Sequence, residues 1–189
     1  KEFEFKKKNF YYRSGIHILG MSNDYQITDK AFQYLQNVHT LDISGCRQFT
    51  DKAFQYLQNV HTLDISGCRQ FTDNAFKYLN QSNQPFLENG ELLIIHTLRM
   101  KNCHQKTITD KAFEYLTNNI AEKKNRLKIH TLNISECNQR TITDKAFQYF
   151  EGIHTLHMSR CWQITNEAFQ HLRGIHTLKI KNCGQITDE

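Results

Sequence analysis

One pattern of hydrophobic and polar positions is repeated seven times along this 189-residue chain. Each copy is a variant of (Ile/Val)-His-Thr-Leu-x-(Ile/Met)-x-x-Cys-x-Gln-(Ile/Phe)-Thr-Asp-x-Ala-Phe-x-Tyr-Leu. We name each copy a unit and number its positions from its first residue. The starts are spaced by 22, 22, 35, 34, 24 and 22 residues. The units begin at Ile16, Val38, Val60, Ile95, Ile129, Ile153 and Ile175.

Within a unit, the pattern changes from a strand to a short helix. In the unit that begins at Val38, Leu41 and Ile43 alternate with polar residues, which predicts a half-buried strand. Thr50 is predicted to cap a helix of about two turns, with Asp51 in the first turn, where the helix dipole favours negative charge. The same Thr-Asp pair recurs at Thr28, Thr72, Thr109, Thr143 and Thr187, with Thr165-Asn166 as the variant. The residues expected in the core of this unit are Val38, Leu41, Ile43, Cys46, Phe49, Ala53, Phe54 and Leu57.

A period in the low twenties, with aliphatic residues at positions 1, 4 and 6 and Cys at position 9, is the leucine-rich-repeat pattern. We therefore predict an α/β fold, a leucine-rich-repeat solenoid shaped as a horseshoe arc. Its parallel β-sheet would line the concave face and its short helices the convex face. Residues 28–51 recur unchanged as residues 50–73, which indicates recent duplication of interchangeable units.

The predicted organisation is one elongated domain. Residues 1–15 would be an N-terminal flanking segment or partial cap, and residues 16–189 the repeat domain, with six full units and a truncated seventh. Two insertions, near 80–94 and 117–128, lengthen the spacing between units. The chain lacks an initiator Met and stops before its last helix, so we expect a fragment of a longer protein.

Composition narrows the possible functions. The formal net charge of +5 is mild and favours acidic partners without demanding nucleic acid. No apolar run reaches the roughly 18 residues of a membrane span, and no signal peptide is evident. No catalytic motif is recognisable, so we expect neither enzyme activity nor a cofactor. The expected protein is a monomer with no membrane association.

The cysteines and histidines form two rows along the array. All six cysteines occupy position 9, where neighbouring thiols would point in parallel, which is awkward for disulfides. We interpret them as buried thiols that satisfy backbone groups, although metal binding and redox chemistry remain alternatives. Unpaired thiols favour the cytoplasm or nucleus. The position-2 histidines would lie near 5 Å apart, so protonation should lower stability as pH falls.

The side chains that vary between units lie at strand positions 5 and 7 and in the following turn. Variation on one face over an invariant core is typical of a recognition surface. Trp162 with Arg160 is the favoured anchor, because Trp and Arg are enriched among interface hot spots. The alternative is a solvated charged face with Trp162 packed on its neighbour. The predicted partner-binding residues are Asp42, Asp64, Arg99, Lys101, His157, Arg160, Trp162, Lys179 and Lys181.

The run Leu-x-(Ile/Met)-x-x-Cys-x-Gln-Ile-Thr-Asp-x-Ala-Phe-x-x-Leu, seen over residues 156–172 with Asn166 replacing the Asp, resembles the cysteine-containing repeats of F-box/LRR proteins. The resemblance implies target recognition within an SCF-type ubiquitin ligase, whose F-box recruits the Skp–cullin machinery. The 15 residues before Ile16 are too few for an F-box. Uniform arrays of this kind also resemble repeat families of protists and giant viruses. A free-standing interaction scaffold therefore stays open as an alternative, and nucleic-acid binding is a third.

Overall fold

The fold is a single parallel sheet in which every unit supplies one strand. A computed structural model of the chain describes residues 16–79, 95–117 and 129–188. Seven strands pair in chain order, and each pairs in parallel with the next. The strands are β1 Ile18–Gly20, β2 Thr40–Asp42, β3 Thr62–Asp64, β4 Thr97–Arg99, β5 Thr131–Asn133, β6 Thr155–His157 and β7 Thr177–Lys179. The predicted leucine-rich-repeat solenoid is confirmed, with the sheet on its concave face.

The core runs unbroken along the array behind the sheet. Position 4 of one strand pairs in register with position 4 of the next, as Leu41 does with Leu63. All eight core residues predicted for the second unit are buried, including Phe49 and Phe54 with no exposed surface. Each phenylalanine also contacts the ring of the following unit, as Phe54 contacts Phe71 at 5.3 Å between centroids. Each unit therefore buries its apolar face only by stacking on its neighbours.

The two long units contain α-helices, and most of the short units contain 3₁₀ helices. The α-helices Asp73–Leu79 and Asp110–Thr117 precede the two long spacings, and Asp29–Phe32 is a single α-turn. The other units contain the 3₁₀ helices Asp51–Tyr56, Asp144–Tyr149 and Asn166–His171. A 3₁₀ helix rises about 2.0 Å per residue against about 1.5 Å for an α-helix. A short unit thus returns to the next strand with few residues.

The predicted threonine caps are present in most units. The Thr50 hydroxyl accepts a hydrogen bond from the backbone N–H of Lys52 at 3.3 Å, and Thr143 and Thr165 cap their helices in the same way. The prediction is wrong for Thr28, whose side chain makes no such bond. The Thr50 hydroxyl itself donates to the Asp29 carboxylate of the preceding unit at 2.8 Å, which orients it.

The predicted N-terminal segment and the two predicted insertions lie almost entirely outside the residues that the structure describes. The N-terminal segment 1–15 lies outside the described residues, as do the insertion near 80–94 and all of the second insertion except Thr117. Thr117 is the last residue of its α-helix. In the part of the chain that the structure describes, no helix has the length and apolar character needed to cross a membrane.

Candidate functional site

The concave face presents two rows of side chains, at positions 5 and 7. The position-5 residues pair in register along the sheet, so Arg99 follows Asp64 and Lys179 follows His157. Neighbouring members of a row are therefore about 4.8 Å apart, the spacing of paired strands. Arg99, Lys101, Lys179 and Lys181 are exposed, and Asp42, Asp64 and His157 are half-buried. The structure thus brings these predicted residues onto one continuous surface.

The charge of this surface changes along the array. Unit positions 5 to 10, from strands β4 to β7 and the first residues of the turns after them, carry five cations and one carboxylate, that of Glu136. The cations are Arg99, Lys101, Arg160, Lys179 and Lys181. We name this part the cationic half-face. The earlier strands carry Asp42 and Asp64, each of which accepts the backbone N–H of the serine two residues later at 2.9 Å. These two carboxylates therefore stabilise their own turns.

The pKa of His157 is sensitive to the positive charge of the cationic half-face. Burial lowers the pKa of His157 below the usual 6.5, and the nearby charges of Lys179 and Arg99 lower the pKa further. Like charges disfavour a protonated imidazole. The imidazole is thus neutral at pH 7 and lies in a region of positive potential.

The turn after each strand contains a left-handed residue at position 8. Its backbone N–H donates to the next unit, as Glu136 donates to the Ser159 carbonyl and Arg160 to the Lys181 carbonyl, both at 2.7 Å. Five of the seven positions are Gly or Asn, residue types that adopt positive φ readily. The φ values are 57° at Asn23, 71° at Gly45 and Gly67, 59° at Asn102, 63° at Glu136, 59° at Arg160 and 57° at Asn182.

Glu136 and Arg160 are the exceptions among these turns, and their side chains interact. The Glu136 carboxylate lies 3.6 Å from the Arg160 guanidinium and 3.4 Å from the Lys101 ammonium. A left-handed backbone costs such residues about 1–2 kcal/mol each. An exposed ion pair returns only about 0.2–1 kcal/mol. The charged side chains at these two turns therefore do not improve the stability of the fold. The sequence feature that could have identified Glu136 and Arg160 is position 8 itself, which is Gly or Asn in the other five units.

Trp162 lies two residues beyond Arg160, at the edge of the concave face. Its side chain is 52% exposed. A Cβ built on Gly184, the position-10 residue of the next unit, would lie 3.1 Å from two carbons of the indole ring. The ring therefore packs over Gly184 and still presents apolar surface to solvent. Trp162 is thus packed on its neighbour, as one of the two alternatives predicted, and it is also accessible, as the anchor role requires.

A row of aspartate–threonine contacts between units was not predicted. The Asp51 carboxylate accepts the Thr72 backbone N–H at 2.6 Å and the Thr72 hydroxyl at 2.7 Å. The same two bonds join Asp29 to Thr50, Asp73 to Thr109, Asp110 to Thr143 and Asp144 to Thr165. The aspartates therefore hold each unit to the next. The recurring Thr-Asp pair was the available signal.

The cysteines form a second row of contacts between units, in agreement with the prediction. None of the six cysteines forms a disulfide and all are buried, and the Cys137 thiol donates to the Met100 carbonyl of the preceding unit at 2.9 Å. Burial raises the pKa of the Cys68 thiol to about 12, and it also raises the pKa of Cys161. Thiols with such raised pKa values are poor nucleophiles.

Most neighbouring position-2 histidine rings stack along the opposite end of the strands, whereas His39 and His61 meet edge-on. Ring centroids of His130 and His154 are 4.2 Å apart, and those of His154 and His176 are 4.4 Å apart. Burial lowers the pKa of His154, and the two neighbouring rings lower it further. The pKa of His61 is lowered for the same reasons. The described residues contain no group of three or more His, Cys, Asp or Glu side chains that could hold a metal ion.

These features define a leucine-rich-repeat protein whose irregular side chains are gathered on the concave face. Residues 4–128 and 106–189 match the BspA-type leucine-rich repeat region, in six copies. The chain therefore belongs to the BspA-type leucine-rich repeat family. Such repeats build protein-interaction surfaces, so this chain is a protein-interaction module.

The other comparisons with known proteins add nothing to this assignment. No curated protein matches the sequence. One similar solved structure is described as "Crystal structure of Rad7 and Elc1 complex in yeast", with 15% sequence identity and a TM-score of 0.48. The similarity covers 82% of this chain and 47% of that chain, so this chain spans about half the length of that protein.

Proposed function

We propose that the module holds an acidic segment of a partner protein across the cationic half-face. The observation that supports this proposal is the excess of five cations over one carboxylate at unit positions 5 to 10 of strands β4 to β7 and their turns. Complementary charge both speeds the encounter of two proteins and orients the partner. Trp162 would contact an apolar side chain of the segment at the edge of the face, beside Arg160.

The size of the charge effect can be estimated from Coulomb's law. A cation about 6 Å from a partner carboxylate contributes about 0.7 kcal/mol in water. Reversal of that charge changes the sign of the interaction, so it costs about 1.4 kcal/mol, or about tenfold in affinity. The contribution falls as salt is added, because the Debye length is about 8 Å at physiological ionic strength.

The test is fluorescence anisotropy with a labelled oligoglutamate peptide. Lys179→Glu should weaken binding about tenfold at low salt, for the Coulombic reason given above. Lys145→Glu is the matched control, because Lys145 is exposed on a convex-side helix. Equal losses from the two substitutions would show that the peptide responds only to net charge and would contradict the proposed face. Tighter binding of a single-stranded RNA with the same charge would favour the nucleic-acid alternative.

The finer role that we propose is target recognition for an F-box/LRR-type ubiquitin ligase. The cysteine-containing repeat pattern of residues 156–172 supports this role. The alternative is a free-standing interaction scaffold. The full-length gene product, mixed with a Skp1-type adaptor from the same cell, distinguishes the two. Co-elution in size-exclusion chromatography supports the ligase role, and separate elution favours the scaffold.

A further inference from the structure

Glu136 interrupts the surface on which the proposed function depends. It is the one carboxylate of the cationic half-face, and the same oxygen, Oε1, lies 3.4 Å from Lys101 and 3.6 Å from Arg160. The side chains of Lys101 and Arg160 are 50% and 58% exposed, against 29% for Glu136. The two cations therefore keep accessible surface, and the carboxylate is held between them.

We propose that Glu136 is an internal competitor for the acidic partner and so determines the specificity of the face. This inference rests on the proposed function. In the free protein, the single charge of Glu136 is shared by two of the five cations, Lys101 and Arg160. An acidic segment must displace its carboxylate from Lys101 and Arg160, which penalises ligands with a single acid. A segment with several adjacent acids compensates through the remaining cations, Arg99, Lys179 and Lys181.

The backbone supports a binding role over a structural one. Glu136 and Arg160 occupy left-handed turns where the other units have Gly or Asn, and their exposed ion pair does not offset that conformation. The two exceptions also lie in adjacent units and contact each other. The Glu136 side chain contacts Lys101 of the cationic half-face, and Arg160 lies two residues before Trp162. Neither exception is explained by the stability of the fold, whereas both contribute charge to the binding surface.

Matched substitutions separate the charge of Glu136 from its backbone strain. Glu136→Gln removes the charge and keeps an unfavourable residue type, whereas Glu136→Asn removes the charge and tolerates positive φ. Both should bind the labelled oligoglutamate peptide about three- to tenfold more tightly than the unmodified chain. Glu136→Asn should also melt about 2 °C above Glu136→Gln. Glu167→Gln, which removes a carboxylate on the convex side, is the control and should leave affinity within about twofold.

Substitution of Arg160 should have the opposite effect on peptide binding, because it removes a cation from the face. Arg160→Gln should weaken peptide binding several-fold, and Arg160→Asn should weaken it equally while raising the melting temperature. Unchanged or weaker binding by Glu136→Gln would overturn the competitor role. If Lys179→Glu still weakens binding in that case, the inference fails and the proposed function stands. If neither Lys179→Glu nor Arg160→Gln affects binding, the proposed function itself fails.

Discussion

Removal of the Asp110 carboxylate should destabilise the array by separating the fourth unit from the fifth. Asp110 accepts the Thr143 backbone N–H and the Thr143 hydroxyl, both at 2.7 Å. The Thr143 hydroxyl in turn accepts the Lys145 N–H at 3.2 Å and caps the next helix. Hydrogen bonds to a charged group contribute about 1.5–3 kcal/mol each. Because the site is only partly buried and the bonds are not additive, Asp110→Ala should cost about 3 kcal/mol.

The assay is thermal unfolding followed by circular dichroism. A loss of about 3 kcal/mol lowers the melting temperature by roughly 6–12 °C in a domain of this size. Asp110→Asn should cost only about 1 kcal/mol, since an amide can replace one accepted bond. Asn166 already does so by accepting the Thr187 N–H at 3.1 Å and donating to the Thr187 hydroxyl at 3.2 Å. Lys111→Ala, an exposed change on the same helix, is the control.

The two substitutions also separate the inter-unit contact from a helix-dipole effect. A carboxylate that acted only through the dipole would contribute about 0.3–1 kcal/mol, and Ala and Asn would lose it equally. A melting temperature for Asp110→Ala within about 2 °C of the unmodified chain would refute the reasoning. Equal losses for Ala and Asn would refute the claim that geometry, rather than charge alone, makes the contact.

Three further predictions follow from the histidines, the thiols and the tryptophan. The pKa values of His61 and His154 are lowered from 6.5, so their contribution to stability is complete above that pH and is lost as pH falls through the folded values. The melting temperature should therefore be lower at about pH 5 than at about pH 7.5, and equal values would contradict this prediction. Cys68, with its pKa of about 12, should react with a thiol reagent only after unfolding, whereas rapid labelling of native protein would exclude the buried contact. Gly184→Ala should displace the Trp162 ring and shift its fluorescence, since the new Cβ would lie 3.1 Å from two ring carbons. An unchanged spectrum would show that the ring does not pack there.

The fold could be predicted because its determinants recur at the same position in every unit. Leu41, Ile43 and Cys46 show the strand and its buried side directly, and the period shows how strands stack. The aspartate–threonine contacts between units could not be predicted, because periodicity within a unit does not show which atoms meet across a junction. Asp51 was therefore interpreted through its own helix, whereas its carboxylate contacts Thr72 of the next unit.

For a similar reason, the sequence shows only part of the geometry of the candidate site. Alternation along a strand identifies Arg99 and Lys179 as concave-face residues. It does not show that Asp42 accepts a hydrogen bond within its own turn. The positive φ of Glu136 and Arg160 could not be predicted either, because these residue types give no indication of that conformation. The proposal that these residues bind a partner remains a prediction.

The identical copies at residues 28–51 and 50–73 have a consequence for how such a gene can change. Unequal recombination between them would add or delete a whole unit. The new junction would again contain an aspartate facing a threonine and a thiol facing a carbonyl, so the protein would still fold. Each event would lengthen or shorten the concave face by one strand spacing, about 4.8 Å. The reach of the module towards its partner can thus evolve in discrete steps without a destabilised intermediate.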